Sequence, residues 1–312
     1  MALRATEWAF MRKPFRRYGS LAKDESTPVE RPRTIPNVIL DAFDLLCNQR
    51  GIGWSWGSKS FLRTRAPPPS LATVAFKLVF KLTMFDIAHC ILLYNRPSLD
   101  TPAGDTLFDP QLDVVPRVAL AMFFTICGGI VVYMPIDAMY HFATLVGRVV
   151  LRQPTTHWPP LSARPWMATS ITDFWSFRWH QFFRNTFIAL GARPGGVLFG
   201  KPGALFGAFG VSALMHYVGL WGLGRGTEFS SASFFLLMAI GAMLERVWLL
   251  VTGKRVRGFW GWAWTMTWTI YWATFMMDGW ARRGMFACDF FVLGLRPGKP
   301  IVDAIISLMT SH

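Results

Sequence analysis

Residues 203–222 read GALFGAFGVSALMHYVGLWG, a run without a charged side chain. At 1.5 Å of rise per residue such a run makes a helix of about 30 Å, the thickness of a hydrocarbon core. It reads as a transmembrane helix, and that reading decides the fold class. Its glycines and alanines let a neighbouring helix approach closely. One residue stands apart: His216 lies deep in the span, where an imidazole is costly unless it is paired or lines a wet cavity.

Working outward, 118–135 (VALAMFFTICGGIVVYMP), 230–251 and 259–281 are also long and apolar enough to cross. Residues 71–94 are long enough too, although Lys77, Lys81, Asp86 and His89 interrupt them. Lys77 and Lys81 share one helix face and can snorkel, whereas Asp86 or His89 must face the protein interior. The expected architecture is an all-α, polytopic transmembrane bundle of about five to six spans with interfacial helices. Composition agrees: 52% of the 312 residues are hydrophobic and 16% charged, against roughly 25% charged in soluble domains. Fifteen Trp and 27 Phe suit a bilayer and its interfaces. A disordered or nucleic-acid-coating protein is excluded. The net charge of +14 is expected in loops facing an anionic leaflet.

Cys47, Cys90, Cys127 and Cys288 are far apart and form no CxxC or Cys/His pair, which disfavours a disulfide scaffold and a metal site. The N-terminus lacks the unbroken apolar run of a cleaved signal. No repeat and no second domain are visible, so 1–312 is one integral-membrane domain. Its membrane core is 71–281, preceded by a cytosolic or interfacial region, 1–70, whose segment NVILDAFDLLC (37–47) reads as an interfacial helix. The acidic loop 95–117 belongs on the non-cytosolic side. Residues 136–150 follow a proline and span roughly 23 Å, short for a crossing, so they are expected as an in-plane helix. That places 152–195, with Arg152, Arg164, Arg178, Arg184 and Arg193, on the cytosolic side together with the basic loop 253–258. Trp260, Trp264, Trp268 and Trp272 line one side of a helix, as a packing or lipid-facing stripe. The tail after 285 has two short apolar pieces split by RPGKP and receives no assignment.

Of the six histidines, His312 is terminal, and His141 and His157 lie in interfacial or loop positions and receive little functional weight. His89 reads as a hydrogen-bonded interior residue with Asp86 at i−3. His216 is better placed for chemistry, since a neutral imidazole takes up a proton near neutral pH. His180 lies in TDFWSFRWHQFFRNTFIALG (172–191). On a helix Phe174, Arg178 and Gln181 share one side and Trp175, Trp179 and Phe182 another, which by itself describes an amphipathic membrane-surface helix.

The ordered set RGIGW (50–54), TSITDFW (169–175), FWSFRWHQFFRNTFIALG (174–191) and GVSALMHYVGLWG (210–222) resembles the signature of the membrane-bound O-acyltransferases. Its wax synthase-like group, including fungal secondary-metabolite acetyltransferases, is the nearest match. The resemblance implies transfer of an acyl group from acyl-CoA to a hydroxyl inside a membrane tunnel, with no bound cofactor and no metal. His216 matches the family's essential histidine, and His180 a second polar position that other branches fill with Asn. Asn185 departs from the Asp that follows FR in related branches, and Met215 from a common Trp. On this resemblance His216 is the general base, and His180 positions the donor or binds the oxyanion. Trp175, Arg178, Trp179, Arg184 and Asn185 contact substrate or acyl-CoA. Arg178 and Arg184, with Lys254 and Arg255, match CoA phosphates, and equally read as topology anchors. The expected reaction is acetylation of a lipophilic terpenoid or meroterpenoid alcohol from acetyl-CoA in the endoplasmic reticulum membrane, with no nucleic-acid partner. Wax-ester synthesis is the in-class alternative. A transporter using Asp86, His89 and His216 as a proton path, or an inactive scaffold, are the alternatives of other classes.

Overall fold

The structure is a computed structural model that describes residues 2–10, 15–17, 34–57, 69–287 and 294–310. Cys288 and His312 lie outside the described residues. Among the described residues the regular structure is entirely helical, with a single isolated bridge pairing Arg17 and Trp54.

Two short helices come first, α1 (Ala2–Ala9) and α2 (Ile35–Cys47). None of the α2 residues is buried: Ile35, Val38, Ile39 and Phe43 are exposed, while Asp41 and Asp44 both bind Arg17. An apolar outer face opposite a tethered polar one is what an interfacial helix requires. The long α3 (Leu71–Asn95) starts at Ser70, whose hydroxyl caps the Thr73 N–H.

Next, α4 (Val114–Leu145) packs along α3 and continues without interruption through Pro135 into a widened turn, Val146–Val150. The expected in-plane helix over 136–150 is therefore corrected: this segment is the end of the preceding span. A helix-interior proline costs on the order of 3 kcal/mol, and tertiary contacts beyond it outweigh that. Asp137, Ala138 and Thr144 are buried, Lys81 of α3 pairs with Asp137, and the Tyr140 hydroxyl donates to the Pro159 carbonyl at 2.6 Å.

The segment 172–191 also differs from its expected single amphipathic helix. A helical turn, α5 (Ile171–Asp173), widens over Phe174–Arg178, and the chain becomes extended at Trp179. It turns helical again only at α6 (Arg184–Phe187). The reason is pairing with the preceding loop, because Ala163 N–H donates to Arg178 O at 2.9 Å and Gln181 N–H to Leu161 O at 3.1 Å.

From α6 the chain passes through Ile188–Ala192 into α7 (Arg193–Gly222), which is broken at Phe199 and Gly200. Gly200 has φ +64°, a left-handed conformation, and Pro202 follows at once. The two arms fold back on each other as a hairpin. A Cβ on Gly191 would lie 2.2 Å from the Gly207 carbonyl oxygen, and one on Gly195 2.2 Å from that of Gly203. The glycines of the opening stretch thus admit the chain's own preceding arm. The remaining helices are α8 (Phe229–Thr252), α9 (Gly258–Arg282) and an amphipathic α10 (Lys299–Thr310).

Phe85, Leu92, Phe124, Met238 and Met277 belong to a core shared by α3, α4, α8 and α9. Among the described residues three stretches are long and apolar enough to cross a membrane, Val114–Val150, Arg184–Gly222 and Phe229–Thr252, and only 39%, 22% and 33% of their most apolar 18 residues are buried in protein. The rest of that surface, with Phe123, Leu214, Leu244 and Trp248 among its exposed residues, faces outward. So large an apolar exterior belongs in lipid.

Candidate active site

The site begins with a cap. Ser170 is the N-cap residue of α5, and its hydroxyl accepts from Asp173 N–H at 2.9 Å. The next two amides, Ile171 and Thr172, donate to the Glu245 carboxylate of α8. Asp173 in turn takes the Arg178 guanidinium at 2.5 Å across the widened turn. The TSITDFW stretch is thus a start signal, and it sets the direction in which Trp175, Trp179 and His180 leave the backbone.

Between this segment, both arms of the α6–α7 hairpin and α8 lies a cavity of about 230 Å³. Trp175, Trp179, His180 and Arg184 line it from one side, and Ser212 and His216 from α7. The walls are largely aromatic. Trp175 packs against Phe235 with ring centroids 5.6 Å apart, and Phe235 lies 4.2 Å from the His216 ring. Trp179 stacks on Phe174 and touches the Tyr133 ring of α4 at 5.7 Å.

The two imidazoles differ in how they are held. Nδ1 of His216 is 2.9 Å from the Ser212 carbonyl oxygen. A carbonyl can only accept, so in the neutral ring Nδ1 carries the hydrogen and Nε2 the lone pair. His180 lies in the extended segment outside the membrane-spanning helices, and its buried Nδ1 has no hydrogen-bond partner. Burial first, then the adjacent His216, pulls its pKa down to about 4. His180 is therefore neutral near pH 7 and retains one N–H to donate. The buried indole Nε1 of Trp175, a donor only, is likewise unpartnered.

Five of the seven expected site residues thus share one cavity: His216, His180, Trp175, Trp179 and Arg184. Two stand outside its lining. The Arg178 guanidinium is committed to Asp173 and to the Ala163 carbonyl, and the Asn185 amide donates to the Arg50 carbonyl at 3.0 Å. RGIGW has a supporting part. Arg50, 4% exposed, donates to the carbonyls of Pro159 and Pro160 and to Tyr140, and so buttresses the loop paired with the cavity wall. Of the remaining histidines, His89 bonds the Phe286 carbonyl at 2.8 Å and His141 that of Asp137 at 2.6 Å. Among the described residues no group of three or more His, Cys, Asp or Glu side chains is arranged to hold a metal ion. The tryptophan stripe of α9 is mostly packing: Trp264 bonds Glu245 and Trp268 bonds the Leu237 carbonyl, while Trp260 is exposed.

Sequence reasoning passed over Glu245 and Asp137, although a lone carboxylate inside an apolar helix was a visible signal. Asp137 accepts from Ser162 at 3.0 Å and pairs with Lys81, and Ser162 also bonds the Tyr133 hydroxyl at 2.8 Å beneath Trp179.

Fold and site together define a helical membrane protein with two histidines in one apolar cavity. Residues 158–237, which contain both histidines, match the model of the membrane bound O-acyl transferase family. The chain is similar to the acetyltransferase spyB of Aspergillus fumigatus, 32% identical over 120 residues, which is 35% of this chain and 20% of that protein. It is 25% identical over 275 residues to the acetyltransferase ple2 of Rhodocybe pseudopiperita, covering 82% of this chain and 71% of the relative. A third relative, the O-mevalon transferase macI of Penicillium terrestre, is 24% identical over 259 residues, 75% of this chain and 59% of its own length. The chain thus spans from a fifth to about seven-tenths of the curated relatives it matches. Residues 158–237 are thus similar to the membrane bound O-acyl transferase family.

Proposed function

We propose that the protein is an acyl-CoA-dependent O-acyltransferase that acetylates a hydroxyl on a lipophilic, terpenoid-type alcohol. The observation that carries this is the pairing of His216, whose Nδ1 is tied to Ser212, with a neutral His180 in one apolar cavity. The acceptor O–H donates to His216 Nε2, and its oxygen attacks the thioester carbonyl as the proton moves to the imidazole. His180 donates its N–H to the oxygen on which negative charge develops. The C–S bond then breaks, and the proton on His216 passes to the departing CoA sulfur. Walls of Trp and Phe exclude water, which limits loss of the acyl group to hydrolysis. Two of the relatives carry the name acetyltransferase, which favours acetyl over a long acyl chain. Arg184 at the cavity is the cation best placed to meet a CoA phosphate. In this reading α3 and α9, each 25 residues long, also cross, giving a five-span protein of the endoplasmic reticulum.

The test uses microsomes carrying wild type or His216→Ala, supplied with labelled acetyl-CoA or palmitoyl-CoA and a panel of lipophilic alcohols. Acetyl ester formed only by wild type supports the reading. Equal product from both proteins refutes the role of His216, and palmitoyl ester in preference to acetyl ester refutes the acyl group.

A further inference from the structure

A carboxylate on α8 holds up the opposite wall of the cavity. Glu245 lies in the interior of a 24-residue apolar helix and is 9% exposed. Its Oε1 accepts from Ile171 N–H and, at 3.2 Å, from the Trp264 indole N–H. Its Oε2 accepts from Thr172 N–H at 3.1 Å and from the Thr172 hydroxyl at 2.9 Å. Four donors converge on two oxygens, which is the full acceptor capacity of an ionised carboxylate. The two amides are the first of α5, which have no partner within their own turn. Nothing else in the polar pattern of α8 requires an acid there, and in an apolar helix an ionised group persists only where its partners repay its desolvation. The neighbouring contact is equally close-fitting: a Cβ on Gly241, one helical turn before Glu245, would lie 2.4 Å from Ile171 Cδ1 and 2.6 Å from the Trp268 indole nitrogen.

We infer that Glu245 is a positioning residue: it pins Ile171 and Thr172 to α8 and thereby fixes the wall that carries Trp175, Trp179 and His180 at its distance from His216. The inference rests on the acyltransferase reading for its catalytic consequence but not for its structural one. Substrate does not touch Glu245; the carboxylate acts through the backbone of α5. A Gln at this place has one acceptor oxygen and turns an NH2 toward donors, so at least one backbone amide loses its partner.

The test is hydrogen–deuterium exchange on the purified full chain in detergent, combined with steady-state acetyl transfer, for wild type and Glu245→Gln. Exchange at the Ile171 and Thr172 amides is expected to rise about tenfold or more, with the amides of 120–132 in α4 unchanged. kcat is expected to fall about tenfold to a hundredfold while KM for acetyl-CoA stays within about twofold, because the wall shifts relative to His216 and the donor site keeps its residues. Unchanged exchange at these two amides overturns the inference, as does a KM increase with kcat intact. Wild type without turnover on any donor defeats the functional reading alone, since the exchange measurement still decides the anchoring. If Glu245→Gln yields no folded protein, Thr172→Val, which removes one of the four contacts, is read in the same way and must shift kcat in the same direction.

Discussion

The α6–α7 hairpin offers the sharpest test of how backbone packing sets the site. Gly191 and Gly207 face each other so closely that a Cβ on Gly207 would sit 2.3 Å from the Gly191 carbonyl oxygen, where ordinary contact is 3.4–4 Å. Gly207→Ala must therefore part the arms by about 1 Å. The three nearest atoms to that methyl are all backbone atoms of Gly191, which cannot swing aside as a side chain can. Arg184 and Ile188 line the cavity from one arm, and Ala208, Ser212 and His216 from the other. A separation of 1 Å between reacting groups costs on the order of a hundredfold in rate, and overpacking of this kind costs about 1–3 kcal/mol in stability. Gly210 on the same helix has nothing within 4 Å of its would-be Cβ, so Gly210→Ala should be neutral or stabilising by up to about 1 kcal/mol from helix propensity. Acetyl transfer and thermal unfolding in one detergent compare the two variants directly. If Gly207→Ala keeps wild-type rate and stability, or Gly210→Ala is the worse of the two, the hairpin packing is wrong.

Three further expectations follow from the polar contacts. Arg50→Met strips donors from the Pro159 and Pro160 carbonyls and should lower stability by about 2–3 kcal/mol, read as a lower unfolding temperature; an unchanged one refutes the buttress. Lys81→Met leaves Asp137 buried without its cation and should cost about 3–5 kcal/mol, whereas the double variant Lys81→Met/Asp137→Leu should recover most of that loss. His180 sets a pH signature. Its imidazole takes a proton near the ordinary 6.5 in the unfolded chain but only near 4 in the fold, so below pH 6.5 the unfolded state binds more protons. Stability should fall by up to about 3 kcal/mol as pH drops from 6.5 to 4, and His180→Asn should flatten that slope in a pH series of unfolding temperatures.

What the sequence made legible was whatever depends on a local period or a compact motif. The apolar runs gave the long helices, Ser170 before Ile171 is a cap signature, and the two aromatic-histidine blocks brought together His180 and His216 across the cavity. What it hid was decided by distant partners. Pro135 is a stop signal in isolation, and nothing near it in sequence announces that Lys81 and Pro159 hold the helix together beyond it. The period of 172–191 fits an amphipathic helix, yet pairing with 161–163 pulls residues 179–183 out of helical geometry. Arg178 reads as a phosphate ligand by charge and neighbourhood, and Asp173, five residues earlier, takes it. Arg184, with the same charge in the same block, lines the cavity instead.

Buried acids tie the helices to their neighbouring loops and turns. Asp86 holds Arg296 and the amides of Gly298 and Lys299; Asp137 holds Lys81 and Ser162; Asp278 takes Thr106 and the Leu107 amide; Glu245 takes α5. Each ties one helix to a loop or turn that has no intrinsic reason to stay at that depth. In an apolar body a polar atom left unmatched is destabilising by about 1–3 kcal/mol. Two such atoms, His180 Nδ1 and Trp175 Nε1, belong to walls of the cavity that also holds His216. In the proposed reaction these two nitrogens are the polar atoms of the cavity wall open to a substrate oxygen.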